Sequence, residues 1–131
     1  MSASQFHLIA GAPTPVGPFS HATESEGWVF VTGQMPTDPD DRHKPLPPDI
    51  EGQTRAVMRN LEIVLEGLSL GWPDVLQVRA YLTHFEDEFA RFNAVYETYF
   101  PADRRPARTC IGVTALAVGA RVEVDLLVKR P

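Results

Sequence analysis

The chain has 131 residues, a formal net charge of −5, 44% hydrophobic residues and 22% charged residues, which predicts one globular domain over residues 1–131. The sequence has no apolar run of about 18 residues, so no membrane span is predicted. The N-terminus lacks the features of a secretory signal, and a single cysteine cannot form an internal disulfide. A cytoplasmic protein is therefore expected, and its acidic balance disfavours a nucleic-acid surface.

The N-terminal part predicts three strands and one long loop. Residues 5–9 and 19–25 are weak strand segments, and residues 28–35 form a stronger one between clusters of prolines. A hairpin is expected to turn near Glu26-Gly27. Residues 37–50 are the longest irregular stretch, and the acidic cluster within it is expected to be solvated.

Residues 51–70 predict a helix, with Gly71 and Pro73 ending it. Its apolar positions recur at helical spacing and comprise Val57, Leu61, Val64, Leu65 and Leu68. Residues 75–83 then alternate with period two, which is typical of a half-buried strand. One face of that strand carries Gln77, Arg79 and Tyr81, which favours either solvent or an oligomer interface.

A second helix follows, with Thr83 and Glu86 as a capping box or Asp87 as an alternative cap. It carries an aromatic stripe, interpreted as core packing: Phe85, Phe89, Phe92, Tyr96 and Tyr99. Residues 107–116 and 120–129 predict two closing strands. The order β-β-β-α-β-α-β-β predicts an α+β fold, with a six-stranded mixed sheet and two helices packed on one face.

Most catalytic motifs are absent. The sequence contains no phosphate-binding GxxxxGK[ST] or GxGxxG, and its four histidines lack metal-ligand spacing, so no catalytic metal is expected. Ser20 and His21 are adjacent in a predicted strand and would point to opposite faces, which argues against a nucleophile–base pair.

The two C-terminal strands carry the more informative residues. Arg108 and Cys110 lie on one side of a strand, and Glu123 lies opposite Val122 and Val124. Arg108 either forms a structural ion pair with Glu123 or another acid, or binds a substrate carboxylate with its planar guanidinium. Cys110 is interpreted as a small buried residue rather than a nucleophile.

A series of short motifs runs from about residue 15 to residue 129 in a specific order. They are Gly17-Pro18-Phe19-Ser20, Thr32-Gly33-Gln34-Met35-Pro36, Gln53-Thr54-Arg55 with Asn60-Leu61, Phe92-Asn93-Ala94-Val95-Tyr96, Tyr99-Phe100-Pro101, Pro106-Ala107-Arg108-Thr109-Cys110 and Val122-Glu123-Val124. Together they resemble the RidA/YjgF family of reactive-intermediate (enamine/imine) deaminases. That resemblance implies a chorismate-mutase-like fold and a homotrimer with clefts between subunits.

The resemblance also implies a site and a reaction. Arg108 would bind the substrate carboxylate, and Glu123 with the backbone carbonyl of Cys110 would hold the attacking water. The Thr32 hydroxyl lines the same cleft, with Phe19 and Gly33 on the substrate side. Enamines and imines of the 2-aminoacrylate/2-iminopropionate type would be hydrolysed to 2-keto acids and ammonia, with no cofactor.

Several positions depart from the family pattern. Phe19 replaces the usual tyrosine and removes a hydroxyl near the substrate, Thr32 replaces serine, His21 stands where glutamine is common, and Ala117 where proline is frequent. The Phe19 departure keeps open a non-catalytic protein that binds small carboxylates or regulates a partner enzyme. An endoribonuclease or translation inhibitor, a role also ascribed to relatives, is disfavoured by the net charge.

Overall fold

The computed structural model describes residues 3–131. The strands are β1 (Gln5–His7), β2 (Ala22–Ser25), β3 (Trp28–Gln34), β4 (Val75–Leu82), β5 (Ala107–Gly112) and β6 (Val122–Lys129); the helices are α1 (Ile50–Gly67) and α2 (Phe85–Tyr96). Single 3₁₀ turns occupy Trp72–Asp74, Glu97–Tyr99 and Ala117–Gly119. No helix among the described residues is long and apolar enough to cross a membrane.

All six strands form one sheet in the order β1-β2-β3-β6-β4-β5. The β4–β5 pair is parallel and the other four pairs are antiparallel, so the sheet is mixed. Both helices contribute to the core against one face of this sheet. The predicted α+β class, strand number and helix placement are therefore confirmed.

The predicted hairpin joins β2 to β3. Ser25 pairs with Trp28, and the two residues between them have positive φ angles, 52° at Glu26 and 81° at Gly27. Two consecutive positive φ angles define the turn that matches the twist of antiparallel strands, and glycine favours such backbone. The Glu26-Gly27 signal was therefore a correct prediction of the turn.

Helix α1 has the predicted apolar face but a different C-terminal boundary. The Asp49 side chain caps its start by accepting from the Gly52 N–H at 2.6 Å. The helix ends at Gly67, where Ser69 adopts φ 59° and the Leu70 N–H donates to the Leu65 carbonyl at 2.8 Å. The prediction that Gly71 and Pro73 end it is wrong, because this left-handed turn satisfies the last carbonyls earlier.

Helix α2 begins without the predicted capping box. Its N-cap is His84, no side chain caps the first turn, and the Thr83 hydroxyl instead bonds to His84 Nδ1 at 2.9 Å. Neither the Thr83–Glu86 box nor the Asp87 cap forms. The aromatic stripe is partly confirmed as core, since Phe92 and Tyr96 are buried and the other members are partly buried against the same cluster.

Strand β6 separates the two faces of the sheet. Its valines and Leu126 alternate into the core, while Glu123 and Asp125 lie on the face opposite the helices. Glu123 is paired in register with Tyr81, and Asp125 with Arg79. We call this helix-free side the outer face and the other side the helix face.

Candidate active site

Glu123 is held against the backbone of the neighbouring strand. The β3–β6 register shifts between Val31 and Gln34, which brings Gly33 beside the Glu123 side chain. A Cβ built on Gly33 would overlap the Glu123 carboxylate. Glycine is therefore required at position 33 for the carboxylate to occupy this place.

The Glu123 carboxylate is half-buried and accepts no hydrogen bond from any residue in 3–131. Burial raises the pKa of Glu123, and the nearby negative charge of Asp125 raises it further. Asp125 itself is held by Arg79 Nε at 2.9 Å and by the Tyr81 hydroxyl at 3.0 Å. A carboxylate with a raised pKa is a stronger base when ionised, which suits it to accept a proton near neutral pH.

A cavity of about 540 Å³ opens on the outer face beside Glu123. Its walls include Phe19, Thr32, Gly33 and Glu123, together with Arg79. The structure thus brings together four residues that the sequence analysis assigned to one cleft. Phe19 is 39% exposed at this wall, so its ring is accessible from the cavity.

Arg108 lies on the helix face instead. It is paired in register with the fully buried Val78, and its Nη1 donates to the Asn93 Oδ1 at 2.7 Å. The guanidinium carbon stands 4.8 Å from the ring centroid of Tyr96 and 5.8 Å from those of Phe89 and Phe92. Three aromatic rings and one neutral amide therefore hold this cation in place.

No carboxylate of the described residues lies within 4.0 Å of Arg108. The hypothesis of a structural ion pair with Glu123 or another acid is therefore wrong within this chain. The aromatic rings attract the cation without neutralising it, and the Asn93 amide is uncharged. Arg108 keeps its positive charge available for an anionic ligand.

Arg108 also lines a second cavity, of about 330 Å³, on the helix face. This cavity, which we call the arginine pocket, is lined by Asn93, Tyr96, Glu97, Phe100, Arg105, Pro106 and Arg108. It is bounded by the end of α2 and by the segment that leads into β5. An arginine fixed at a concave wall of this size is suited to bind a small carboxylate.

Cys110 follows Arg108 on the same face of β5. Burial raises the pKa of its thiol, with a smaller opposing effect from Arg108, so the thiol stays protonated at neutral pH. The Val113 N–H donates to the Leu82 carbonyl, so odd-numbered amides of β5 face β4 and the Cys110 carbonyl points to the open edge of the sheet.

One chain does not bring the two halves of the predicted site together. Glu123 lies on the outer face of β6, whereas Arg108 and Cys110 lie on β5, with β4 between them. Two strand spacings amount to about 10 Å, and the Arg108 and Glu123 side chains point to opposite faces. A single water molecule cannot join Glu123 to the Cys110 carbonyl of the same chain.

The residues that orient Arg108 were not predicted as part of the site. Asn93 lies four positions after Phe89 and three before Tyr96, so it belongs to the face of α2 that carries the aromatic stripe. A polar residue within an apolar stripe was the available signal. The stripe has two roles, since Phe92 and Tyr96 fill the core and also flank the guanidinium.

His21 has a structural role. It is buried, its Nδ1 accepts from the Ile9 N–H at 2.8 Å, and its Nε2 lies 2.7 Å from the Pro13 carbonyl. Both ring nitrogens are therefore occupied in tying the N-terminal segment to the sheet. Within residues 3–131 no group of three or more His, Cys, Asp or Glu side chains is arranged to hold a metal ion.

Residues 9–129 match the family described as Endoribonuclease L-PSP. The chain belongs to that family. A RutC family protein of Synechocystis is 35% identical over 122 residues, covering 93% of each chain. A crystal structure from Yersinia pestis, described as a member of the conserved Rid protein family, has a TM-score of 0.90 at 30% identity and covers 98% of this chain and all of that one. The RidA/YjgF resemblance and the fold are thus confirmed.

A third relative carries a ligand. The crystal structure of Escherichia coli TdcF with bound serine has a TM-score of 0.84 at 25% identity, covering 95% of this chain and 99% of that one. Serine bears the carboxylate and the amino-bearing carbon that the predicted substrates of this chain share. The bound serine is an observation on TdcF alone.

Proposed function

We propose that this L-PSP family protein hydrolyses small enamine and imine intermediates to 2-keto acids and ammonia, in the cytoplasm and without a cofactor. One observation carries the proposal: Arg108 is held in place without a neutralising acid, and Glu123 is half-buried without a hydrogen-bond donor. The substrate carboxylate would supply the anion that Arg108 lacks, and the attacking water would supply the hydrogen-bond donor that Glu123 lacks. The serine bound to TdcF supports a small amino-acid-derived ligand in this fold.

The chemistry follows from these two groups. Arg108 binds the α-carboxylate and orients the C=N bond, while Glu123 accepts a proton from water as the water oxygen bonds to the imine carbon. The electron pair of the C=N bond moves to nitrogen, which takes up a proton and gives a carbinolamine. The hydroxyl proton then passes by way of Glu123 to the amino nitrogen, the C–N bond breaks, and ammonia leaves behind a keto group. An enamine enters the same route after tautomerising to the imine, in which a proton moves from its nitrogen to its carbon. The sum is imine plus water giving keto acid plus ammonia.

The complete site requires a second copy of the chain. The open edge of β5, with Arg108 and the Cys110 carbonyl, would face the outer-face cavity of a neighbour, with its Glu123, Thr32 and Phe19. The exposed outer face includes Phe30, 54% accessible, and Ile111, 46% accessible, on strands that such a contact would cover. A closed homotrimer, as the family resemblance implies, would repeat this contact three times.

The direct test is clearance of an imine made in place. A dehydratase acting on serine or threonine generates 2-aminoacrylate or 2-aminocrotonate, and keto-acid formation is followed with and without the protein. We expect acceleration with the wild-type chain, none with Arg108→Ala, and full acceleration with Arg104→Ala, which removes the same charge from an exposed neighbour. No acceleration for any of several amino-acid-derived imines would refute the proposal.

A second candidate rests on Phe19. Because its ring lines the outer-face cavity without a hydroxyl, the site would bind small carboxylates without turning them over or would regulate a partner enzyme. This candidate predicts carboxylate binding by calorimetry and no imine clearance, with clearance appearing in Phe19→Tyr. An endoribonuclease would instead cleave RNA in preparations free of trace nucleases, and that cleavage would not depend on Arg108.

A further inference from the structure

A second arginine lines the arginine pocket. Arg105 lies three residues before Arg108, in the segment between α2 and β5, and both contribute to the same cavity wall. Arg108 is needed for one carboxylate, whereas Arg105 has no role in the reaction described above. Arg105 is exposed, so water solvates its guanidinium and leaves it accessible to an anionic ligand that enters the cavity.

No protein acid fulfils that role. Glu97 also lines the pocket, yet no arginine nitrogen lies within 4.0 Å of its carboxylate, and Arg105 forms no ion pair within residues 3–131. The pocket therefore carries two positive side chains and one negative one. A ligand that carries a second anionic group, besides the carboxylate on Arg108, can therefore bind Arg105, which has no ion-pair partner within residues 3–131.

The Tyr96 hydroxyl is a further polar group at the wall of this pocket. The residue is 7% exposed, and its hydroxyl has no hydrogen-bond partner among the described residues. Burial raises the pKa of Tyr96 to about 12, while the positive charges of Arg108 and Arg105 oppose that rise. Tyr96 shares the cavity wall with both arginines, so its unpartnered hydroxyl leaves a hydrogen-bond donor for a polar ligand there.

We propose that the arginine pocket selects substrates with two acidic groups, with the α-carboxylate on Arg108 and the distal carboxylate on Arg105. The chemical class is the imines of acidic amino acids, such as 2-iminosuccinate. This inference rests on the proposed imine hydrolysis and specifies its substrate. The reaction is unchanged: water adds to the C=N carbon, and ammonia leaves to give the dicarboxylic keto acid.

Turnover provides the first test. An aspartate oxidase generates 2-iminosuccinate, and its clearance is compared with that of 2-iminopropanoate as a ratio of kcat/KM values. We expect the ratio to fall about tenfold in Arg105→Gln, because a charge-assisted contact is lost from one substrate only. Arg104→Gln, the matched control, should leave the ratio unchanged. Glu97→Gln should raise it by removing the one negative side chain.

Binding provides a readout that does not depend on catalysis. Calorimetry with succinate and propionate on the wild-type protein should show tighter binding of succinate, and Arg105→Gln should abolish that preference while propionate binding is kept. If no imine is hydrolysed but succinate still binds through Arg105, the proposed function fails and the dicarboxylate pocket stands. Equal binding of succinate and propionate, or a preference that survives Arg105→Gln, would overturn the inference.

Discussion

The two halves of the candidate site treat their charged groups in opposite ways. Arg108 is fixed by the Asn93 amide and three aromatic rings, so its position is set before any ligand arrives. Glu123 accepts no hydrogen bond from the described residues, and both burial and Asp125 disfavour its ionised form. The helix face thus provides a preorganised binder, and the outer face a base that gains from a positively charged or donating neighbour. The helix face therefore contributes the oriented cation, and the outer face contributes the proton acceptor.

The strongest test separates the halves by mutation and reunites them by assembly. Arg108→Ala and Glu123→Gln should each lower imine clearance by about 100-fold or more, since each removes a charged contact to the reacting groups. If the site is shared between chains, mixing the two inactive variants under conditions of subunit exchange should restore roughly a quarter of the sites. Keto-acid formation measures the recovery, and native mass spectrometry confirms mixed oligomers.

Each variant taken alone through the same exchange procedure is the control for refolding effects. Mixed oligomers that remain as inactive as the single variants would show that Arg108 and Glu123 do not act across a subunit contact. That outcome would contradict the shared site even if both residues proved essential.

A smaller effect is expected when the base is displaced rather than removed. In Gly33→Ala the new methyl group would occupy the place of the Glu123 carboxylate and force it away from the β3 backbone. We expect kcat to fall about tenfold, because a shift of about 1 Å in a catalytic group weakens the aligned attack. Gly71→Ala, whose added Cβ would make only ordinary contact with Pro73, should retain full activity. Equal kcat in both variants would mean that the Gly33 contact does not position the base.

Regular alternation explains which parts of this molecule could be predicted from sequence. Period-two patterns in β4 and β6 placed Arg79, Glu123 and Asp125 on the face opposite the core, and helical spacing identified the buried face of α1. Helix ends were less accessible. α1 ends through a left-handed Ser69, and serine carries no strong signal for that conformation.

The site shows the same limit. The family resemblance implied a cleft with Thr32, Gly33, Phe19 and Glu123, and these four residues line one cavity because neighbouring strands β3 and β6 carry three of them. The separation of Arg108 from Glu123 depends on strand order, since β4 lies between their strands, and strand order is a long-range property that no local pattern encodes. Asn93 was missed for a related reason, because its partner Arg108 is distant in sequence.

The preorganisation of Arg108 can be weakened without removing its charge. Asn93→Leu deletes the 2.7 Å hydrogen bond while keeping a side chain of similar size. Loss of one hydrogen bond to a charged group should raise KM about fivefold with little change in kcat, because the bond orients the binder and does not touch the reacting atoms. Steady-state kinetics separate the two parameters. A fall in kcat at constant KM would mean that Asn93 acts in the chemical step.

The environment of Glu123 gives the smallest and most specific effect. Because the pKa of Glu123 is raised, the proposed base takes up its proton at a higher pH than an ordinary glutamate does. Activity is therefore lost as pH falls, which gives the pH profile an acidic limb. Asp125→Asn removes the like charge that contributes to this rise, so the pKa of Glu123 falls and the limb moves to lower pH. The pH dependence of kcat/KM in wild type, Asp125→Asn and the exposed control Asp103→Asn measures the shift. A limb that moves equally in both variants would report net charge alone, and a limb that moves upward would show that Asp125 does not act on the base through repulsion.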